Sequence, residues 1–453
     1  MATPLSRREF FRRGACSAVG YSALTSALLD LYSVNAAAQG AGDYKALVCV
    51  FLYGGNDASN VFVPRSGAAY AAYAAQRGSL AIPAEGLLPL SPANPDGLDY
   101  GLHPSLGGLQ TLFHEGRVAV LRNVGTLVAP TTRQQYLQGG SNVPPQLFSH
   151  NDQQVLWQTS VPDHNVRTGW GGRMADLLRS LNSASQVSML ISLAGSNTFQ
   201  IGREVFQYPV SSSGSVSMQG YNWRTPADPE TRALNRIMRA QHENLFERVY
   251  ANVMKRAVDT DIQVRSSFDA APPLATVFPN TRLGTQLKTA ARMIQIRDVL
   301  SQRRQIFFCQ AGGYDTHDDQ LADHAALLQE LGDAMLAFYR ATQEMGVAER
   351  VTSFTASDFG RTFTSNGRGS DHGWGSHHFV MGGGVRGGHV FGRYPNLAIK
   401  GPDDTDRGRW IPSTSVDEYS ATLASWFGVA NSDIPLVLPN IGRFASRNVG
   451  FML

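Results

Sequence analysis

Four short polar turns, each beside an apolar run, carry residue types that bind metal ions. The turns are residues 54–57, 312–317, 357–361 and 371–375. Aspartate oxygens and histidine nitrogens are common protein ligands of divalent ions. The first hypothesis is therefore a metal site whose candidate ligands are Asp57, Asp315, His317, Asp358 and His372.

The segments beside these turns are typical of buried β-strands. Three turns follow the apolar runs 46–52, 306–309 and 351–354, and the fourth precedes the run 379–381. The carboxyl ends of parallel strands share one edge of an open α/β sheet. Side chains that are far apart in the sequence are thus expected to meet at that edge.

Strand-like and helix-like segments alternate along the chain, which predicts a mostly parallel sheet covered by helices on both faces. The predicted strands are 45–52, 118–124, 187–193, 305–310, 351–356 and 379–381. The predicted helices are 104–115, 152–159, 172–181, 229–258, 283–299, 320–343 and 416–426. We expect a single domain over residues 43–453, with irregular inserts near 68–100 and 199–222.

The first residues are typical of an export signal. A twin-arginine pattern at 6–12 precedes a mildly apolar stretch, 14–31, and a small-residue cleavage site at 36–38. We predict a signal peptide over residues 1–38, recognition by the twin-arginine export machinery, and a periplasmic or extracellular protein. A basic amphipathic start of a cytosolic protein is the alternative. The apolar stretch is too short and too polar for an integral membrane span.

The charge of the remaining chain is nearly balanced. Removing residues 1–38 takes away four arginines and two acids, and this leaves 35 basic and 34 acidic residues. Such a balance argues against nucleic acid or an anionic membrane as the main partner. Cys49 and Cys309 each lie in a strand-like run, which favours two buried thiols over a disulfide.

Structural explanations compete with the metal hypothesis at several of these residues. Asp57 could make a local turn or cap a helix. Asp358 and Arg361 share one turn, so they could form an ion pair, or the arginine could hold an anionic oxygen beside a metal-bound aspartate. His377 and His378 alternate along a strand, and at most one of them can face the site.

Ser149 is the candidate nucleophile. It precedes a predicted helix, where backbone N–H groups would also hold an anion. The structural alternative is a capping box formed by Ser149 and Asp152. The sequence contains no G-x-S-x-G elbow, Walker loop or dinucleotide fingerprint, and the glycine-rich stretch 382–388 lacks the G-K-[ST] ending of a phosphate loop.

The motifs also resemble a known set in their order along the chain. FLYGGNDASN, LFSHNDQQ, GGYDTHDDQ, SDFGRT and DHGWG follow the twin-arginine pattern. This order resembles a widespread bacterial family of exported proteins of unassigned function, over nearly the whole chain. That family is more distantly similar to the alkaline phosphatase and sulfatase superfamily. The resemblance implies an alkaline-phosphatase-like three-layer α/β sandwich and a hydrolase that uses two divalent ions and a Ser, Thr or modified Cys nucleophile.

The resemblance assigns a role to three residues, and this sequence departs from the superfamily pattern at two places. Asp57 matches the first strand-end ligand, Asp358 the aspartate of an Asp-His pair, and His372 the last histidine. Phe359 stands where the histidine of that pair is expected. Only one residue separates Asp315 from His317, where three are expected. These departures imply that one metal site is weakened or absent, and the resemblance favours Ser149 as nucleophile over Thr131 or Thr132.

The sequence therefore predicts an exported, metal-dependent hydrolase of a phosphate or sulfate ester. One or two divalent ions (Zn, Mn, Ca or Mg) would activate Ser149 or a water, and Arg361 would stabilise charge on the transferred group. A non-catalytic protein on the same fold, binding an envelope glycan or a protein partner, is the second hypothesis. An oxidoreductase is a third, which rests only on the export route.

Overall fold

The computed structural model describes residues 44–453, apart from residues 141, 213, 216 and 217. The predicted signal peptide and its cleavage site lie outside the described residues. Within the described ranges, no helix is both long and apolar enough to cross a lipid bilayer.

The strands form one large sheet and one small sheet. In chain order they are β1 (Lys45–Leu52), β2 (Phe62–Pro64), β3 (Leu88–Leu90), β4 (Tyr100–Leu102), β5 (Val118–Gly125), β6 (Leu190–Ser192), β7 (Tyr208–Ser211), β8 (Gly214–Ser215), β9 (Arg304–Ala311), β10 (Val351–Ser357), β11 (Ser376–Gly382), β12 (Val390–Phe391) and β13 (Thr414–Ser415). The small sheet has the order β2-β4-β3 and is antiparallel. The large sheet has the order β12-β5-β11-β10-β1-β9-β6-β7-β8, and β13 also pairs with β5.

Helices cover the large sheet. They are α1 (Gly67–Arg77), α2 (Gly107–His114), α3 (Arg133–Leu137), α4 (His150–Thr159), α5 (Trp170–Leu178), α6 (Pro229–Arg239), α7 (Leu245–Ala270), α8 (Arg282–Gln295), α9 (Gln320–Glu344), α10 (Val416–Phe427) and α11 (Ile434–Val437). Helices α2, α8 and α9 pack on one face, while α5, α10 and α11 pack on the other. The prediction of a sheet flanked by helices on both faces is confirmed.

The side chains of the central strand β1 alternate between these two cores. Val48 and Val50 pack with α8 and α9, whereas Leu47 and Phe51 pack with α5 and α10. A strand buried on both faces must be apolar at every position, which explains its continuous apolar sequence. Cys49 and Cys309 lie on opposite faces of the sheet and are both buried free thiols, so the prediction of two buried thiols is confirmed.

The direction of each strand explains how the four turns meet. Strand β1 is parallel to β9 and β10, so the turns after these three strands lie at one edge. Strand β11 is antiparallel to both of its neighbours, β10 and β5. The turn that precedes β11 therefore reaches the same edge from the opposite direction, and the mostly parallel sheet predicted from the sequence is confirmed.

The predicted helix 229–258 is wrong as a single element. It is two helices, α6 and α7, and the second continues to Ala270. The side chain of Asn244 accepts a hydrogen bond from the backbone N–H of Phe246, so it caps a new helix in the middle of the predicted one.

The two stretches that were expected to be irregular inserts contain regular elements. The stretch 68–100 contains most of α1 and strand β3. The stretch 199–222 contains β7 and β8, and β7 is paired to the main sheet.

Candidate metal centre

Glycines bring three of the turns into contact. Gly54 has φ +114°, and a Cβ there would lie 2.4 Å from the backbone nitrogen of Asp315. A Cβ on Gly55, at φ +83°, would lie 2.4 Å from the ring of Phe359. Only glycine combines this left-handed conformation with so close an approach. The turn after β1 is thus packed directly against the turns after β9 and β10.

Asp315 is the centre of a group of three histidines. Its Oδ1 lies 3.0 Å from Nε2 of His317 and 3.2 Å from Nε2 of His372, and its Oδ2 lies 3.3 Å from Nε2 of His150. The Nε2 atoms of His317 and His372 are 3.0 Å apart. One ligand atom from each of His150, Asp315 and His372 lies within 4.8 Å of the others, which is close enough for one ion to bridge them.

His150 is oriented from behind by Asp358. Its Nδ1 lies 2.7 Å from Oδ2 of Asp358, and that oxygen also accepts hydrogen bonds from Nε2 of Gln154 at 2.9 Å and from the backbone nitrogen of Gly54 at 3.2 Å. His150 and Gln154 are four residues apart on α4, so both face the same carboxylate. An acceptor at Nδ1 places the proton there and leaves the Nε2 lone pair free to bind a metal ion.

The other two histidines have supports of the same kind. Nδ1 of His372 lies 2.7 Å from the carbonyl oxygen of Phe148, and Nδ1 of His317 lies 3.3 Å from Oδ1 of Asp371. Each of the three imidazoles is therefore held through Nδ1 while its Nε2 faces Asp315. Metal-binding histidines in proteins are generally held by such outer hydrogen bonds to carboxylates or carbonyls.

The charges around the group also shape its protonation. The hydrogen bond to Asp358 raises the pKa of His150 above its ordinary value. Burial lowers the pKa of His372. Burial acts to raise the pKa of Asp315, but the hydrogen bond and the positive charge of Arg361 outweigh it and hold that pKa below its usual range. Asp315 is therefore an anion in a setting of neutral or cationic side chains.

The residues of this group fit a zinc-type ion. Zn²⁺ is bound by histidine nitrogens and carboxylate oxygens, and a catalytic zinc site uses three such protein ligands and keeps a fourth position open for water or substrate, as His150, Asp315 and His372 could provide. Nε2 of His150 is buried and makes no hydrogen bond to any described residue, although it lies 3.3 Å from Asp315. A buried polar atom without a partner is costly, and a metal ion would satisfy it.

Asp57 lies apart from this group, in a buried ion pair. Its Oδ2 contacts the guanidinium of Arg77 and the side-chain amide of Gln320, and its side chain is fully buried. Arg77 also donates to the carbonyl oxygens of Thr362 and Phe363. The structure thus brings Asp315, His317 and His372 together. It places Asp358 behind His150, to which it is hydrogen-bonded, and it joins Asp57 to Arg77 instead.

Arg361 is buried and uses its donors within the protein. Its Nε donates to the carbonyl oxygen of Ser370 at 3.1 Å. Its Nη1 donates to the carbonyl oxygen of Gly54 at 3.0 Å and to Oδ1 of Asp315 at 2.7 Å. The side chain of Arg361 therefore links its own turn to those that contain Gly54 and Asp315, and it orients the carboxylate of Asp315.

Ser149 is the N-cap residue of α4 and neighbours His150 in the sequence. The capping-box interpretation is wrong, because the hydroxyl of Ser149 accepts no capping hydrogen bond from the described backbone. It donates instead to Oδ2 of Asp152 at 2.5 Å. This contact gives the hydroxyl of Ser149 a carboxylate acceptor.

The sequence analysis did not identify His150 as a candidate ligand, although the motif LFSHNDQQ contains this residue. The usable signal was the spacing of His150 and Gln154, two polar side chains on one face of α4. Phe359 packs its ring against two of the histidines, with centroids 4.9 Å from His150 and 4.8 Å from His372. His377 and His378 pack in the core, where burial lowers the pKa of each to about 3.

The fold of this mixed α/β chain is similar to that of several solved hydrolase and synthase structures. A sulfatase from Pseudoalteromonas sp. is 11% identical, with 90% of this chain and 72% of that chain covered and a TM-score of 0.35. The lipoteichoic acid synthase of Listeria monocytogenes is 10% identical, with 89% and 76% covered and a TM-score of 0.34. A phosphonate monoester hydrolase from Silicibacter pomeroyi is 9% identical, with 88% and 77% covered and a TM-score of 0.33.

The family of the chain is established by sequence. Residues 44–405 match the model described as "Protein of unknown function (DUF1501)", and the chain belongs to this family. The search of curated proteins found no match.

Proposed function

We propose that this protein binds one zinc-type ion and hydrolyses a phosphate or sulfate ester. The observation that carries the proposal is the convergence of three Nε2 atoms on the carboxylate of Asp315, each imidazole being held through Nδ1. One ion is proposed rather than two, because Asp57 is engaged by Arg77 and Phe359 offers no ligand atom.

A bound zinc ion would polarise the ester oxygen and lower the pKa of a water molecule at the site. The residues of the chain supply the rest. Asp358 and Asp371 orient two imidazoles, the carbonyl oxygen of Phe148 orients the third, and Arg361 holds Asp315 in its anionic form. Phe359 covers two histidine rings, which excludes water from that side of the group.

Arg409 is proposed to bind the anionic group of the substrate, the role that the sequence assigned to Arg361. Its Nε donates to the carbonyl oxygen of His372 at 2.8 Å, and its guanidinium carbon lies 4.2 Å from the centre of the Phe148 ring. Its terminal nitrogens contact no other described residue by hydrogen bond or ion pair. A fixed guanidinium with free donors is suited to a phosphate or sulfate oxygen.

The test combines metal analysis with ester hydrolysis. The purified protein is expected to contain about one zinc per chain, held by three protein ligands with the fourth position open. Activity towards 4-nitrophenyl phosphate, 4-nitrophenyl sulfate or a phosphonate monoester is expected to disappear with a chelator and return with zinc. The Ser149→Ala variant distinguishes two nucleophiles. If Ser149 is the nucleophile, the variant has no turnover; if an activated water is the nucleophile, the variant keeps turnover.

The outcomes separate the candidate functions. Protein that contains no zinc and takes up none would overturn the proposal. Zinc binding without hydrolysis of any ester would favour the second hypothesis, a non-catalytic protein that binds at the cell envelope. The presence of Phe359 where a ligand is expected also favours that hypothesis. Asp298→Asn, a change at a well-exposed aspartate elsewhere on the surface, serves as the matched control for Asp315→Asn, which is expected to lose both zinc and activity.

We also propose that the protein acts in the periplasm or outside the cell, after twin-arginine export. The support is the pattern at residues 6–12 and the small-residue site at 36–38. Changing both Arg7 and Arg8 to lysine is expected to retain the full-length chain in the cytoplasm, as seen by cell fractionation and mass of the product. Export of this variant at the wild-type level would contradict the proposal.

A further inference from the structure

A short turn beside the histidine–aspartate group directs two arginine side chains towards it. We call residues 404–409 the arginine turn. Nε of Arg409 donates to the carbonyl oxygen of His372 at 2.8 Å. Nη1 of Arg407 donates at 2.5 Å to Oδ2 of Asp371, the carboxylate that holds one of the histidines through Nδ1. The position of the arginine turn therefore bears on how the group is arranged.

The arginine turn is closed by the buried carboxylate of Asp404. Its Oδ1 accepts hydrogen bonds from the backbone nitrogen of Gly408 at 2.8 Å and from that of Arg409 at 3.1 Å. Its Oδ2 accepts one from the backbone nitrogen of Lys400 at 2.7 Å. Asp404 is 0% exposed, so its charge must be compensated inside the protein, and these three N–H groups do so.

The backbone of the turn is held in an uncommon conformation. Arg407 has φ +57°, in the left-handed region that residues other than glycine rarely adopt. Such a conformation persists only where the surrounding structure holds it, and it is most often found at functional sites. The two hydrogen bonds to Oδ1 of Asp404 come from the next two backbone nitrogens, those of residues 408 and 409. Asp404 therefore fixes the chain at the point where the side chain of Arg409 begins.

We propose that Asp404 is a positioning residue for anion binding and that it acts by holding Arg409 in place. The inference rests on the proposed function, in which Arg409 binds the phosphate or sulfate group of the substrate. Arg409 is held at two points, by its backbone nitrogen on Asp404 and by its Nε on the carbonyl oxygen of His372. A side chain that is already ordered loses little conformational freedom when it binds an anion, and this favours binding.

Both oxygens of the carboxylate are required for this role. An asparagine side chain has one acceptor oxygen and an NH₂ group that only donates. In Asp404→Asn the NH₂ group would therefore face either the N–H of Lys400 or the N–H groups of residues 408 and 409. The hydrogen bonds on that side would be lost, although the size of the side chain is kept.

The test is the affinity of the purified protein for inorganic phosphate, measured by isothermal titration calorimetry, with zinc content measured on the same samples. Arg409→Ala is expected to weaken phosphate binding by about tenfold to a hundredfold, and Asp404→Asn by about tenfold, with zinc retained in both. The double variant Asp404→Asn/Arg409→Ala is expected to bind no more weakly than Arg409→Ala, because Asp404 acts through Arg409. A general structural role would weaken binding further in the double variant.

Two further variants serve as control and as second probe. Asp403→Asn changes the neighbouring buried carboxylate, which accepts hydrogen bonds from Arg393 and from the backbone nitrogen of Asn396, outside the arginine turn. It is expected to keep the wild-type affinity for phosphate. Thr405→Val removes the hydrogen bond from Oγ1 to the carbonyl oxygen of Arg409 at 3.2 Å but leaves the carboxylate, and it is expected to weaken phosphate binding about threefold.

Four results would overturn the inference. They are wild-type phosphate affinity in Asp404→Asn, an equal loss in Asp403→Asn, a further loss in the double variant, and loss of zinc in Asp404→Asn. If Asp404→Asn does not fold, wild-type affinity in Thr405→Val overturns it. Phosphate binding is measured without an ester, so a lack of hydrolysis would overturn the proposed function alone. Equal affinity of Arg409→Ala and the wild type would overturn the role of Arg409 and this inference with it.

Discussion

Replacing His372 with alanine is expected to lower zinc affinity by more than about a hundredfold and to abolish ester hydrolysis. Removing an outer hydrogen-bond partner of a ligand costs about 10–100-fold in metal affinity, and removing the ligand itself should cost more. His372 contacts two other members of the group, with its Nε2 3.0 Å from that of His317 and 3.2 Å from Oδ1 of Asp315. The measurement is zinc affinity by competition with a chromogenic chelator.

The Asp358→Asn variant gives a smaller expected loss of zinc affinity, with which the loss in His372→Ala can be compared. Asp358 orients His150 but binds no metal in the proposed site, so zinc affinity is expected to fall by about 10–100-fold while zinc is still bound at saturation. His164→Ala is the control, because His164 is an exposed histidine whose ring pairs with Asp163. Equal affinities for the His372→Ala variant and the wild type would contradict the proposed site. A larger loss in Asp358→Asn than in His372→Ala would instead identify Asp358 as a ligand.

The edge of the sheet could be predicted from sequence because strand ends are a local property. An apolar run followed by glycine and aspartate predicts both a buried strand and the turn that ends it. The antiparallel direction of β11 is not local, since it depends on how the chain returns between β10 and β5. The turn before β11 was nevertheless placed at the correct edge, because the prediction grouped the turns by residue type.

The proposed ligand set could be predicted only in part, because a ligand is defined by its partners in space. His150 was missed since its role depends on the rotation of α4 that points it at Asp358. Arg361 was assigned to the substrate, yet it is buried against Gly54 and Asp315. In each case the residue type was read from the sequence, but the partner lies more than forty positions away.

Asp57 shows the same limit most clearly. Its partner Arg77 lies at the end of α1, inside a stretch that the sequence predicted to be an irregular insert. Nothing in the turn at 54–57 indicates a buried arginine twenty residues further on. The carboxylate was therefore counted with the metal ligands, although it neutralises a guanidinium that is itself fully buried.

The Asp57→Asn variant is expected to keep its zinc but to lose about 3–5 kcal/mol of unfolding free energy. Removing one partner of a buried ion pair leaves the other charge buried without compensation, and Arg77 has no exposed surface through which water could reach it. Such a loss is a large part of the roughly 5–15 kcal/mol that stabilises a typical protein. Urea unfolding and zinc content measured on the same sample check both halves of the expectation.

A double-mutant cycle with Arg77→Met is the sharpest control. Because an apolar pair of similar size can replace a buried ion pair with little loss, Asp57→Asn/Arg77→Met is expected to be more stable than the sum of the single changes predicts. Additive losses would mean that the two side chains do not stabilise each other. Loss of zinc in Asp57→Asn at unchanged stability would make Asp57 a metal ligand, as the sequence resemblance implied, and would move the metal site from His150 towards α1.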